Sequence, residues 1–471
     1  PHVILGTLGI ISVYFLVLGL TKKNGVSLLT ALLVAVGPWY VFTSRFVLQS
    51  NLSVFLLMTS MAFFFNREKK KYFLPISLFS LFLGLFSYHT TRIFFPPFLA
   101  GILVIYKKEF LELVRKRTFV NMLSGFFVIL FFITSILILR NPESRTRSGL
   151  LFLVDQGAVN KIIDERAGSK FPQLITRLLY NRPVYFIEQF SKNYISYFSP
   201  QFLFLQGGTQ YQFSVPEMGL LYVINLPFFY AGLVILIIKS LKDKNYRLLF
   251  LWLALSPIPA SLTNERFAVI RATTMLPIPE ILTSIGAFWV FSWLSKNKLK
   301  NIFRWFWFVY ILILLAFLGN YMIRYFTDYR ESYSWSWQYG YKQVVRYASE
   351  NYAKYDKIIV SKKYGEPHEY FLFFWPWRPD KYQNDPNAIR FSQSNWYWVD
   401  RFDKFYFVND WQIPRVSDQD FVLESGGDVG CMMSDVRCLL ITSPENFPSG
   451  WKKLDTINFL DGKPAFEIYE N

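Results

Sequence analysis

Three short polar links in this chain carry groups able to bind an anion or move a proton. The first is Thr43-Ser44-Arg45, leading to Gln49 and Asn51. The second is Tyr88-His89-Thr90-Thr91-Arg92, and the third runs from Asn264-Glu265-Arg266 to Arg271. Each link presents an arginine. Taken singly, an arginine at such a position reads as one snorkelling to lipid headgroups. Taken together, they read as a shared anion site, because the planar guanidinium fork forms bidentate, charge-assisted bonds to phosphate. His89 offers acid–base chemistry or a further bond to phosphate, against the plainer role of an interfacial hydrogen-bonder at a helix end. Asp155, Asp164 and Glu165 are candidate bases or metal ligands, against a solvated amphipathic face. Glu280, in PIPEILTSIGAF, is the acid set deepest in an apolar stretch; such acids are functional by default, although Pro277 and Pro279 mark a helix end or break there. The sequence contains no Gly-rich phosphate loop, HExxH, nucleophile elbow or CxxC. ATP-driven and zinc chemistry therefore have no support, no metal ligand is assigned, and a divalent-metal requirement stays open.

The elements that position these links are apolar. The chain has 471 residues, 52% hydrophobic and 20% aromatic, with a net charge of +17. Its apolar residues cluster into stretches matched to a hydrocarbon core of about 30 Å. Ten candidate spans fall near 3–20, 26–43, 47–65, 72–88, 93–106, 120–139, 217–238, 247–262, 273–294 and 302–322. The stretch 93–106 is the shortest and contains Pro96-Pro97. The links 21–25, 66–71, 107–118, 239–247 and 295–304 hold 19 Lys and Arg, whereas 44–46, 89–92 and 263–272 hold four. That asymmetry assigns the first set to the cytoplasm and removes the need for nucleic acid to explain the basic excess. The three polar links, the segment 140–216 and everything after about 323 then lie outside.

The fold expected is mainly α: a polytopic transmembrane bundle over 1–322, with an extracytoplasmic α/β domain over 323–471. Within 140–216, the apolar run Leu150–Val154, the aromatic stretch Tyr180–Phe213 and the turn at Gly207-Gly208 predict short amphipathic helices at the outer interface. In the tail, Tyr339–Asn351 has helical periodicity, and KIIVS (357–361), KFYFV (404–408), RCLLIT (437–442) and AFEIY (465–469) read as strands. Cys431 and Cys438 both fall there. A disulfide and two free thiols remain equally open readings, and the absence of a neighbouring His speaks against zinc at that pair.

PHVILGTLGIISVYFLV resembles the second transmembrane segment of family 39-type glycosyltransferases of the GT-C superfamily, enzymes that use dolichyl- or polyprenyl-phosphate sugars. GPWYVFTSRFVLQSNLSVFLL is similar to the helix pair that follows. LFSYHTTRIFFPPFL is similar to a Y-x-x-R-x-F-x-P turn, and IPASLTNERFAVIRATTMLPI to a P-x-x-x-R-A-x-x-x-x-P segment. The tail YGYKQVVRYASENYAKYDKIIVSKKYGEPHEYFLFF resembles the outer domain of many bacterial members. The resemblance implies transfer of a sugar from a polyprenyl-phosphate donor to an outer acceptor (a protein, a glycan or a lipid-linked sugar), with inversion. It implies a carboxylate base in a first outer loop, which is expected to precede Pro1. It carries Arg45, Arg92 and Arg271 over as donor-phosphate ligands, with His89 and Arg266 beside them. The sequence departs from the pattern at Gln49, where relatives often carry an acid, and at Ala268, where they often carry His.

Two other classes compete. An O-antigen polymerase or ligase also combines many spans with outer arginines. A lipid-linked-sugar transporter predicts repeated halves and polar midplane residues, and a non-catalytic scaffold is compatible with Gln49. The partners expected are the lipid-linked donor, the outer acceptor and the bilayer of the cytoplasmic membrane, with no nucleic acid.

Overall fold

The computed structural model describes residues 1–116, 118–141, 153–296, 300–393, 396–416, 418–431 and 435–471. Most of the predicted apolar run 150–154 lies outside the described residues. The chain divides into two compact units, Pro1–Met322 and Ile323–Asn471.

The first unit is helical. It begins with α1 (His2–Thr21), α2 (Asn24–Val36), α3 (Pro38–Arg45), α4 (Gln49–Phe65), α5 (Phe73–Gly84), α6 (His89–Ile105), α7 (Lys107–Arg115) and α8 (Phe119–Arg140). Helices α2 and α3 are bent by 57° at Gly37-Pro38, because the proline cannot continue the hydrogen-bond ladder of α2. The next amide, Trp39 N–H, donates instead to the carbonyl of Leu220, at 3.1 Å. A break deep in an apolar bundle is tolerated when another segment satisfies the freed groups. Serines tie neighbours together: Ser12 Oγ meets Thr59 Oγ1 at 3.0 Å, and Ser60 Oγ donates to the carbonyl of Ser77 at 2.8 Å. The helices Leu226–Ser240 and Ile278–Lys296 cross at Gly232 and Gly286. A Cβ on Gly286 would overlap the Phe228 carbonyl, and one on Gly232 the Leu282 carbonyl. Glycine is what lets the two backbones approach so closely.

Among the described residues, five helical segments are long and apolar enough to cross a membrane: His2–Thr21, Phe119–Arg140, Val223–Ser240, Thr273–Ser292 and Trp305–Ser332. The bent pair α2–α3 makes a sixth. The remaining predicted stretches form shorter helices. α4 and α6 have 17 residues each, and α5 and Lys244–Leu255 have 12. α6 runs unbroken through Pro96 and Pro97. Within the segment 140–216, short helices form at Gln156–Ala167, Gln173–Leu179 and Arg182–Ser196. Their apolar residues Leu174, Leu178, Ile187 and Ile195 are exposed.

The second unit is built on a seven-stranded sheet: β1 (Lys357–Ser361), β2 (Ile389–Gln393), β3 (Trp396–Phe402), β4 (Phe405–Val408), β5 (Cys438–Thr442), β6 (Lys452–Asn458) and β7 (Pro464–Glu470). The strand order is β2-β3-β4-β1-β5-β7-β6. Strands β4, β1 and β5 are parallel and the others pair antiparallel. The parallel trio reads as continuous apolar runs because it is buried on both faces. The helix Tyr341–Glu350 packs Tyr341, Val344, Val345 and Ala348 into the sheet's core. Cys431 and Cys438 are joined in a disulfide, the state favoured in an oxidising compartment.

Candidate functional site

The second polar link opens α6. Tyr88 is extended (φ −156°, ψ 149°) and His89 begins the helix. His89 and Arg92, three residues apart, share a face of the first turn. Arg92 Nη1–H donates to His89 Nδ1 at 3.2 Å. A guanidinium can only donate, so in this contact Nδ1 is the accepting nitrogen. Thr91 locks the turn by donating from Oγ1 to the carbonyl of Gly84, at 2.7 Å. Arg92 Nε is buried and has no hydrogen-bond partner among the described residues.

The third link is a compact irregular turn. Phe267 adopts a left-handed conformation (φ 55°), and Ala268 N–H donates to the Tyr197 hydroxyl at 3.1 Å. Inside the turn Arg271 forms an ion pair with Glu265, both side chains being 17% exposed. Arg271 Nη1 also approaches Thr263 Oγ1, at 3.4 Å. One carboxylate oxygen of Glu265 holds the guanidinium. The other, Oε1, is buried without a partner among the described residues.

The two links meet through Tyr88, whose phenol is within electrostatic reach of both Arg271 and Glu265. The structure thus joins His89 to Arg92 and sets Arg271 beside the same segment. Arg45 is the exposed last residue of α3, where a cation complements the helix dipole. Arg266 is exposed, with its guanidinium 4.6 Å from the centre of the Phe267 ring.

Asp155 and Glu165 of the segment 140–216 have structural partners. Asp155 caps the helix Gln156–Ala167, accepting from Ala158 N–H at 2.8 Å and from Asn264 Nδ2 at 3.2 Å. The backbone bond from Ala158, followed by the Asn264 bond, holds its carboxyl below the usual range. Asp155 therefore clips the outer segment to the third link, next to Glu265. Glu165 pairs with Lys161 at 3.9 Å along an exposed helix face, and Asp164 lies on the same helix. Glu280 is 1% exposed, and neither of its oxygens has a partner among the described residues. It sits in the first turn of Ile278–Lys296, near Gly37.

Sequence reasoning passed over Glu265. Its signal was an acid six residues before Arg271 in one short link. The half-paired, half-orphaned state of its carboxylate is a property of the folded turn. Among the described residues, the one group of three close metal-competent side chains is Glu366, His368 and Glu369, in the second unit.

No protein-family model matches the chain, and no curated protein matches it. Among solved structures it is similar to an oligosaccharyltransferase of Archaeoglobus fulgidus. Against the apo form the identity is 15% and the TM-score 0.37, covering 64% of this chain and 40% of that one. Against AglB in complex with an inhibitory peptide and a dolichol-phosphate the values are 15% and 0.39, covering 67% and 43%. Against the form tethered by a disulfide to an acceptor peptide containing the NVT sequon they are 14% and 0.40, covering 76% and 49%. The chain spans less than half the length of each of these three.

Proposed function

We propose that this chain is a membrane glycosyltransferase of the GT-C type, moving a sugar from a polyprenyl-phosphate donor to an acceptor on the outer face of the cytoplasmic membrane. The observation that carries the proposal is a pair of orphaned groups on two links that meet at Tyr88. They are a buried arginine N–H at Arg92 and a buried carboxylate oxygen at Glu265. Leaving either unsatisfied costs about 1–3 kcal/mol, and more for charged groups, so each calls for a partner. A sugar phosphate offers both kinds, phosphate oxygens for the Arg92 guanidinium and hydroxyls for the Glu265 carboxylate. Arg271, held in place by the other Glu265 oxygen, supplies positive charge for the leaving phosphate.

In the reaction proposed, a base takes the proton of the acceptor hydroxyl. The acceptor oxygen attacks the anomeric carbon, the bond from that carbon to the phosphate oxygen breaks, and polyprenyl phosphate departs with inversion. Arg45, Arg266 and His89 complete the donor-phosphate surface. The bundle crosses the bilayer ten times in this reading, with the second unit outside.

The test is sugar transfer from a polyprenyl-phosphate donor in proteoliposomes. Arg92→Ala and Arg271→Ala should each lower turnover roughly tenfold or more, as loss of a preorganised charge donor does, while the protein still purifies folded. Normal turnover in both variants would overturn the phosphate assignment.

A further inference from the structure

We propose that Glu366, His368 and Glu369 form a binding site for one zinc-class divalent cation in the second unit. The three residues lie where β1 hands over to the helix Pro367–Phe374. Their ligand atoms all fall within 4.8 Å of one another, and His368 Nε2 is 3.9 Å from Glu366 Oε2. Two ligands of a tetrahedral ion at about 2.0–2.1 Å are separated by roughly 3.4 Å. A modest contraction, mostly by the exposed Glu369 side chain, therefore closes the site.

A second observation is independent of that spacing. His368 is only 6% exposed, and its ring makes no hydrogen bond among the described residues. The 3.9 Å approach to Glu366 is too long for one, and its other close neighbour is the ring of Phe407. A largely buried imidazole that hydrogen-bonds to no described protein group keeps its nitrogens available to a ligand. An acid in the first turn would complement the helix dipole unaided, but that role leaves the histidine unexplained. The charge balance also suits a cation. Lys362 is ion-paired with Asp400 and Glu424, and among the described residues no Lys or Arg forms an ion pair with Glu366 or Glu369.

Topology places the group where a ligand is expected. β1 is the middle strand of the parallel trio, flanked by β4 and β5, and open α/β sheets bind ligands outside the carboxyl ends of strands at such a reversal point. Pro367 fixes the entry to the helix, and Gly365 (φ 117°) makes the turn before it. One imidazole and two carboxylates suit zinc and leave a further coordination position for water.

The test uses the whole chain in detergent, stripped with chelator and equilibrated with zinc chloride, with bound metal counted by mass spectrometry. One zinc per chain is expected, displaced poorly by calcium. Glu369→Gln and Glu366→Gln should each weaken zinc binding roughly tenfold or more with unchanged melting of the metal-free protein, and His368→Ala should abolish it. The exposed Glu369 keeps the test usable should the His368 variant fold poorly. No zinc on the wild-type chain would overturn the proposal. So would zinc retained in both glutamine variants, or zinc lost instead from a Cys431→Ser/Cys438→Ser chain. Because the readout is metal content, it fails or succeeds separately from the glycosyltransferase reading.

Discussion

At the scale of single residues, what distinguishes this chain is which charges are satisfied and which are not. Asp410 is a satisfied one. Burial opposes its ionisation, yet bonds from Ser443 Oγ and Ser361 Oγ, at 2.7 and 2.8 Å, together with Lys363, outweigh that and hold its carboxyl below the usual range. A depressed acid contributes stability that is complete above its unfolded pKa, near 3.9, and is lost as pH falls through the folded value. Asp410→Asn should therefore lower the melting temperature at pH 7, and the gap to the wild type should close as pH falls through the carboxyl's folded pKa, as calorimetry across an acid series would show. A constant gap between the two would deny the carboxylate its role. Glu265 is the opposite case, half paired and half orphaned. Under the proposed function, Glu265→Gln keeps the shape of the turn but loses the charge that fixes Arg271. Sugar transfer should fall, and Arg271→Lys should be impaired as well, since lysine keeps the charge and loses the fork. Full activity in Arg271→Lys would mean that a point charge suffices there.

At the scale of elements, close packing rests on a few positions. Ala at Gly286 would force its Cβ into the Phe228 carbonyl, and overpacking of this kind typically costs about 1–3 kcal/mol. Gly286→Ala should unfold at lower denaturing-detergent concentration than the wild type, whereas Gly125→Ala, whose added Cβ meets nothing within 4 Å, should not. The disulfide Cys431–Cys438 closes a loop with a sequence separation of seven residues. On the chain-entropy account its removal costs about 2–3 kcal/mol, so a double Cys→Ala chain should stay folded with a lowered melting point. Part of this architecture was legible in the sequence. β1, β4, β5 and β7 coincide closely with the apolar runs at 357–361, 404–408, 437–442 and 465–469, because strands buried on both faces, or covered on one, announce themselves by composition. β6 (KKLDTIN) and β2 (IRFSQ) did not, since edge strands carry charge and exposed faces. In the membrane unit, arginines in short links were visible as residue types. The Tyr88 meeting point and the Glu366–His368–Glu369 group were not, because both depend on which segments fold together. Zinc chemistry had no motif to support it, as the three ligands follow none of the usual spacings.

At the scale of the whole molecule, helix length and charge pattern make different demands, and the charge pattern is the more discriminating. Counting only long apolar helices among the described residues gives five or six candidate crossings. If α4, α5 and α6 did not cross, the chain leaving α3 on the outer side would stay there. The links 66–71 and 107–118 would then place nine Lys and Arg outside, against the positive-inside rule. Crossing by all three restores both links to the cytoplasm and returns 89–92, with His89 and Arg92, to the outer face. The same holds further on: unless Lys244–Leu255 crosses, 239–247 and 295–304 cannot both be cytoplasmic. A helix of 12 residues spans only about 18 Å, so a crossing by α5 or Lys244–Leu255 would need help from flanking turns and from local thinning of the bilayer. Irregular backbone at membrane depth is acceptable where protein covers it, and Leu74, Leu78 and Leu81 of α5, like Leu248, Leu249 and Trp252 of the later helix, are buried in the bundle. Topology reporters fused within 66–71 and 239–247 should read cytoplasmic, and those within 89–92 and 263–272 extracytoplasmic. An extracytoplasmic reading at 66–71 would remove α4–α6 from the membrane crossings. It would also place the second and third polar links by an arrangement the charge pattern does not predict, and the shared donor-phosphate surface would lose its topological basis.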